Sequence, residues 1–134
     1  MIFIDTGAFV ARHVARDQYH STAVNAWQKL AAGDRRCFTT NHVLDETLTL
    51  LARRAGNQFA AERARALFAS HELTIIRPDR DDERRAVELL EQFNDQPFSF
   101  TDCLSFAVMK HSGIPRAFTF DNHFRVAGFE VWPG

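Results

Sequence analysis

Short apolar runs alternate with longer amphipathic stretches along the whole chain. Each short run spans three or four residues and is bounded by turn-forming or charged residues, which is typical of buried strands. The predicted strands are residues 2–4, 37–39, 73–76, 117–120 and 129–132. The first of them is expected to end in a turn at Asp5-Thr-Gly7.

Between these runs, apolar residues recur at the spacing of one helix face. The predicted helices are residues 20–32, 58–70 and 101–112, a segment from a cap at Asn41 to a stop at Gly56, and one from Asp79 to about Asn94. Strands that alternate with helices predict an α/β fold with a parallel sheet and helices on both faces. No linker or internal repeat interrupts the pattern, so we expect one domain over residues 1–134.

The composition indicates the class of protein but not its function. Apolar residues make up 46% and charged residues 25% of the chain, as in ordinary globular domains. No apolar run could span a membrane, the N-terminal MIFID lacks signal-peptide features, and the two cysteines match no metal or redox spacing. We therefore expect a cytoplasmic protein. The net charge of −1 leaves a nucleic-acid partner open without arguing for one.

Three aspartates fall at one predicted edge of the sheet. Asp5 follows the first strand, Asp121 follows the fourth, and Asp102 opens the helix that leads into that fourth strand. Ligands of such sheets gather at the carboxyl ends of the strands. Glu46 is a fourth acid, at the edge of the buried face of its helix, beside Val43.

Each acid also has a purely structural explanation. Asp102 completes a capping box that begins at Ser99, Asp5 and Asp121 could each stabilise a turn, and Glu46 could pair with an arginine on its own helix. Together, however, like charges about 4 Å apart cost on the order of 4 kcal/mol per pair at an effective dielectric of 20. Cations would relieve that cost, and oxygen ligands favour Mg²⁺ or Mn²⁺.

The four acids lie in FIDTGAF, NHVLDETLTLL, SFTDCLSFAVMK and FTFDNHF. In this order, and over nearly the whole chain, these motifs resemble the acidic signatures of PIN domains, above all the short VapC-type toxins. The resemblance implies a three-layer α/β/α sandwich and a metal-dependent endoribonuclease. It further implies a homodimer and a small antitoxin as partner.

The resemblance also implies roles for individual residues. Asp5, Glu46, Asp102 and Asp121 are expected to be the catalytic, metal-binding acids, with Asp5 and Asp102 as the principal ligands. Thr6 and Thr101 resemble the family's supporting hydroxyl residues. Gly7 stands where the family most often has serine. Whether one metal or two acts is left open.

Other polar residues carry weaker signals. Arg12, Arg16, Arg53 and Arg54 are expected to contact RNA phosphates, with surface ion pairs as the alternative for each. The six histidines show no ligand spacing, and His123, two residues after Asp121, is the best candidate among them. Most of the 13 phenylalanines are expected in the core.

The resulting prediction is a Mg²⁺- or Mn²⁺-dependent endoribonuclease that hydrolyses RNA phosphodiester bonds as the toxin of a toxin–antitoxin pair. Two alternatives stay open: an RNA-processing nuclease without a toxic role, and a PIN-fold module that binds metal or protein without catalysis. A different phosphate enzyme on a doubly wound sheet is less favoured, because the sequence has no Gly-rich phosphate loop.

Overall fold

The computed structural model describes all 134 residues, which form five strands and seven helices. The strands are β1 (Ile2–Ile4), β2 (Cys37–Thr40), β3 (Leu73–Ile76), β4 (Arg116–Phe118) and β5 (Glu130–Trp132). The helices are α1 (Thr6–His13), α2 (His20–Ala32), α3 (Asn41–Ala55), α4 (Asn57–Ala69), α5 (Arg80–Gln92), α6 (Phe100–Ser112) and α7 (His123–Val126). None of the helices combines the length and the apolar character needed to cross a membrane.

All five strands are parallel and lie in the order β3-β2-β1-β4-β5. The chain first moves from β1 through β2 to β3 and then returns to β4 and β5 on the other side of β1. Because parallel crossovers are right-handed, these opposite directions place α1–α4 on one face and α5–α7 on the other. The predicted α/β/α sandwich with a short parallel sheet is confirmed.

The reversal of direction between β1 and β4 makes a topological switch point. At such a point the loops after two neighbouring strands diverge, which opens a crevice at their carboxyl ends. Phe3 and Ile4 of β1 lie beside Ala117 and Phe118 of β4, so the two strands end level with each other. Asp5 follows β1 directly, and Asp121 lies in the loop after β4.

The core surrounds these two central strands and holds the site rigid. All of β1 is buried, and so is every residue of α6 from Cys103 to Met109. Phe106 packs edge-on against Phe124, with ring centroids 5.1 Å apart. Seven of the 13 phenylalanines are buried, in line with the expectation that most belong to the core.

Several predicted boundaries were wrong. The first strand leads straight into helix α1 rather than into a turn, because Ala8 to Ala11 form a buried helical face and Gly7 does not break it. The cap of α3 is Thr40, whose hydroxyl accepts the Val43 N–H at 3.1 Å, rather than Asn41. Strand β4 ends at Phe118 instead of residue 120. The four-residue helix α7 was not predicted.

Candidate active site

Asp5 is a buried carboxylate at the end of β1. Its backbone N–H donates to Phe118 O at 3.1 Å, which ties it to β4, and its side chain makes no cap hydrogen bond to α1. Instead, Thr119 Oγ1 donates to Asp5 Oδ2 at 2.9 Å. Burial, followed by the charges of Asp121 and Asp102, raises the pKa of Asp5 to about 8, and the Thr119 hydrogen bond offsets part of that rise.

Asp102 starts helix α6 and also faces the crevice. Its Oδ2 accepts the Ser99 N–H at 3.1 Å while its own N–H donates to Ser99 Oγ at 3.0 Å, which completes the predicted capping box. The same Oδ2 lies 3.0 Å from His123 Nδ1. The structural explanation of Asp102 is therefore correct, and the fold still brings this carboxylate to the other two.

Asp121 holds the loop after β4 in a turn. Its Oδ1 accepts the N–H of His123, two residues further on, at 2.8 Å, which is the hydrogen bond of an Asx-turn. Its own N–H donates to Thr119 Oγ1 at 3.3 Å. The other carboxylate oxygen, Oδ2, lies 3.7 Å from His123 Nδ1 and keeps some exposure to solvent.

Two further residues, Thr119 and His123, contact the three aspartates. The sequence indicated His123 only as a weak candidate and did not indicate Thr119. The Thr119 hydroxyl bridges Asp5 and the backbone of Asp121. The His123 ring lies between Asp102 and Asp121 and packs on Phe98, with ring centroids 5.2 Å apart. Neither contact follows from spacing alone, although both residues lie only two positions from Asp121.

No side-chain hydrogen bond joins the remaining predicted site residues to the three aspartates. Glu46 is half-buried on α3 and is not among the charges that raise the pKa of Asp5. Thr6 follows Asp5, and its hydroxyl is buried without a hydrogen-bond partner. Thr101 is half-buried, and its carbonyl accepts the Ser105 hydroxyl at 3.0 Å.

Comparison with known proteins identifies the family. The family model of the PIN domain matches residues 2–130. The chain belongs to the PIN domain family. It is 42% identical over 134 residues to the 23S rRNA-specific endonuclease VapC20 of Mycobacterium tuberculosis strains, covering 99% of both chains. It is 32% identical to a VapC ribonuclease of Archaeoglobus fulgidus, covering 96% of this chain and 83% of that one.

A solved structure agrees with these sequences. The crystal structure of M. tuberculosis VapC20, described as a Sarcin-Ricin loop cleaving toxin, matches this PIN domain with a TM-score of 0.88 and 40% identity over 96% of each chain. The predicted resemblance to VapC-type PIN domains is confirmed.

A cleft of about 250 Å³ adjoins the aspartates of this PIN domain. Its lining includes Thr6, Asp17, Tyr19, Arg54, Phe120 and Asp121. The rings of Tyr19 and Phe120 are stacked, with centroids 4.7 Å apart and planes within 1°. One edge of the cleft is thus an aromatic surface. Asp121, one of the three aspartates, follows Phe120 directly in the chain and also lines the cleft.

The four predicted phosphate-binding arginines are scattered. Arg54 lines the cleft and lies 3.6 Å from Asp17, and Arg16 donates to the Arg54 carbonyl at 2.9 Å. Arg53 is exposed on α3. Arg12 is not part of this cleft, because its guanidinium lies over Trp27, 4.5 Å from the ring centroid. Only Arg16 and Arg54 are associated with the cleft.

The donor set at the crevice fits a hard divalent cation. Asp102 and Asp121 are close enough to Asp5 for their charges to raise its pKa, and none of the three is paired with a lysine or arginine. The buried Thr6 hydroxyl is a further oxygen without a hydrogen-bond partner. Mg²⁺ and Mn²⁺ are bound by such oxygen ligands and retain water at their other positions. A cation there would also offset the repulsion that, after burial, raises the pKa of Asp5.

A tighter group with metal-binding atoms occurs at the start of α5. Side-chain atoms of Asp79, Asp82 and His111 lie within 4.8 Å of one another, a closeness that the ligand atoms of the three crevice aspartates do not reach. Asp79 and Asp82 form the capping box of α5, and His111 Nδ1 lies 3.1 Å from Asp82 Oδ1. The hydrogen bond to Asp82 raises the pKa of His111. Asp82 therefore repeats the local setting of Asp102, at the third position of a helix and beside a histidine.

Proposed function

We propose that this protein is a VapC-type endoribonuclease that hydrolyses RNA phosphodiester bonds with a divalent metal whose principal ligands are Asp5 and Asp102, beside Asp121. The convergence of these carboxylates at the switch point of a PIN fold is the observation that carries the proposal. The predicted ribonuclease class is confirmed by relatives that are named as an endonuclease of rRNA and as a ribonuclease.

Each residue of the cluster has a distinct task in this mechanism. Bound Mg²⁺ or Mn²⁺ supplies positive charge that activates water and offsets charge on the phosphoryl oxygens. Asp5 and Asp102 would be the principal ligands, while Asp121 and Glu46 would orient water or bind through it. Thr119 fixes the Asp5 carboxylate, and His123 fixes the carboxylates of its two neighbours.

The cleft beside the cluster is the place where RNA binds. A base would stack on the exposed face of Tyr19, which is itself fixed on Phe120. Arg54 and Arg16 lie on the same side and would contact phosphate oxygens. Ribosomal RNA is the proposed substrate class, in keeping with the relative that is named as specific for 23S rRNA.

The biological setting forms part of the same proposal. Residues 1–134 act as a single PIN domain, the toxin of a toxin–antitoxin pair, which forms a homodimer in the cytoplasm and is inhibited by a small antitoxin. The description of the solved relative as a toxin supports this setting.

The test compares RNA cleavage by wild type, Asp102→Asn and Asp82→Asn. The last variant is a matched control, because Asp82 also caps a helix and contacts a histidine but lies in the other cluster. Ribosomal RNA is incubated with each protein in Mg²⁺, Mn²⁺ or EDTA, and circular dichroism checks folding.

We expect metal-dependent cleavage by wild type and Asp82→Asn, and none by folded Asp102→Asn. Equal cleavage by both variants would show that Asp102 serves α6 as a cap only. Absence of cleavage by the wild type on total RNA would favour a PIN module without catalysis.

A further inference from the structure

A cavity of about 590 Å³ lies away from the aspartates. It is formed by residues at the start of β2 and β3 and by the C-terminal halves of α1, α2 and α4. The aspartates lie at the carboxyl ends of the parallel strands, so this cavity is at the opposite edge of the sheet. We call it the arginine cavity, after the residues Arg12, Arg35, Arg36 and Arg63 in its lining.

The charges in the arginine cavity are unbalanced. Besides the four arginines, its lining includes a single carboxylate, Glu72. None of the four arginines lies within 4.0 Å of a carboxylate oxygen, and the ion pairs of the molecule involve other residues. A recess lined by one sign of charge concentrates ions of the opposite sign.

Aromatic rings orient all four guanidinium groups. Arg12 lies over Trp27, Arg35 over Trp132, Arg36 over Phe38 and Arg63 over Phe59, with distances of 4.5 to 5.7 Å from the guanidinium carbon to the ring centroid. These are the cation–π contacts of the molecule. A guanidinium that stacks by its face keeps its N–H edge free for bidentate contact with an anion.

Two residues of the lining each have a nitrogen atom without a hydrogen-bond partner. Arg63 Nε and His13 Nε2 are both buried and unpaired. Buried polar atoms in folded proteins are nearly always paired, so both side chains keep hydrogen-bonding capacity that the chain leaves unused. Burial and the charges of Arg12 and Arg63 lower the pKa of His13 to about 4, which keeps its ring neutral near pH 7.

We propose that the arginine cavity binds a polyphosphate group, as carried by a nucleoside polyphosphate. Several phosphates in a row offer acceptor pairs to several oriented guanidinium groups at once, and Arg is suited to such bidentate contacts. The cavity volume lies in the range of small-molecule sites, which favours a small anion over a long strand of nucleic acid. This site is separate from the RNA cleft and does not depend on the proposed nuclease activity.

The test is isothermal titration calorimetry in EDTA, so that no metal bridges the ligand to the aspartates. The probes are ATP, inorganic tripolyphosphate and a glutamate peptide of the same charge. The proteins are wild type, Arg63→Gln, Arg12→Gln and Arg84→Gln, the last of which alters an exposed arginine paired with Asp81.

We expect ATP or tripolyphosphate to bind wild type and Arg84→Gln alike, and to bind each cavity variant at least about tenfold more weakly. Binding of ATP but not of tripolyphosphate would identify the nucleoside as part of the ligand. RNA cleavage by Arg63→Gln should equal that of wild type, which separates this site from the nuclease.

Two outcomes would overturn the proposal. One is the absence of binding at millimolar ATP and tripolyphosphate, or equal affinity in the two cavity variants and wild type. The other is equal or tighter binding of the glutamate peptide, which would assign the cavity to an acidic protein segment. Because two different arginines are changed, misfolding of one variant leaves the other to decide.

Discussion

Replacing Asp5 with asparagine removes a buried charge while keeping the size of the side chain. The asparagine oxygen can still accept the Thr119 hydroxyl that contacts Asp5 Oδ2 at 2.9 Å. What disappears is a carboxylate whose pKa is raised from 3.8 to about 8 by burial and by the charges of Asp121 and Asp102. The substitution should therefore stabilise the metal-free protein at neutral and alkaline pH.

The size of the effect follows from linkage between protonation and folding. When folding raises the pKa of a carboxyl group, the free energy of unfolding falls as pH rises from the pKa of the unfolded chain to the pKa of the folded protein. Each unit of difference corresponds to about 1.4 kcal/mol, so metal-free wild type loses on the order of 4 kcal/mol between pH 4 and pH 7 through this group. The loss is complete above about pH 8, and Asp5→Asn does not undergo it.

Urea unfolding in EDTA at pH 4, 6 and 8 measures this difference. Asp5→Asn should match wild type at pH 4 and exceed it by a few kcal/mol at pH 8, whereas Asp81→Asn, at an exposed position on α5, should follow wild type throughout. Adding Mn²⁺ at pH 8 should stabilise wild type and leave Asp5→Asn nearly unchanged. If the gap between Asp5→Asn and wild type did not grow with pH, Asp5 would not be the buried, repelled carboxylate described above.

Three further substitutions probe the contacts around the aspartates and the second cluster. His123→Ala should lower RNA cleavage by about 10- to 100-fold without unfolding the protein, because the ring fixes two carboxylates; full activity would remove His123 from the site. Thr119→Val should cost about 1–3 kcal/mol in urea unfolding, because it leaves Asp5 and the Asp121 N–H without their partner; an unchanged midpoint would contradict this. His111→Gln should lower the melting temperature at pH 5.5 but not at pH 9. A histidine whose pKa is raised in the folded protein stabilises it below the pKa of the unfolded chain, and this stabilisation is lost as pH rises through the pKa of the folded protein. An equal loss at both pH values would argue against the ion pair.

Much of the fold could be predicted because local patterns and topology agree. The run from Leu73 to Ile76 became β3 with both boundaries correct, and Gly113 ended α6 in the left-handed conformation, with φ of 68°. Alternation of strands and helices then fixed a parallel sheet, whose carboxyl edge brings Asp5 and Asp121 together. These inferences needed only short-range pattern and the handedness of crossovers.

Other features depended on contacts that no local pattern encodes. Helix α1 begins at Thr6 despite Gly7, because burial of Phe9 and its neighbours outweighs the weak helix preference of glycine. Thr119 was predicted within the fourth strand, yet it lies past the end of β4. Its hydroxyl contacts both Asp5 and the backbone N–H of Asp121. Its role is visible only once β1 and β4 are neighbours.

The capping boxes of α5 and α6 have the same local features but different surroundings. Asp82 and Asp102 each occupy the third position of a helix, each accept the N–H of the cap residue, and each contact a histidine. Only Asp102 also faces Asp5 across the switch point, where its charge raises the pKa of Asp5. The difference between a cap and a site residue therefore arises from the arrangement of strands, not from the motif.

Anomalous diffraction from crystals soaked in Mn²⁺ tests most directly whether the aspartate cluster is the metal centre. We predict a manganese peak within bonding distance of carboxylate oxygens from Asp5 and Asp102, close to Asp121, in wild type, and none there in Asp5→Asn. A peak confined to Asp79, Asp82 and His111, or no peak at the switch point at saturating Mn²⁺, would contradict it.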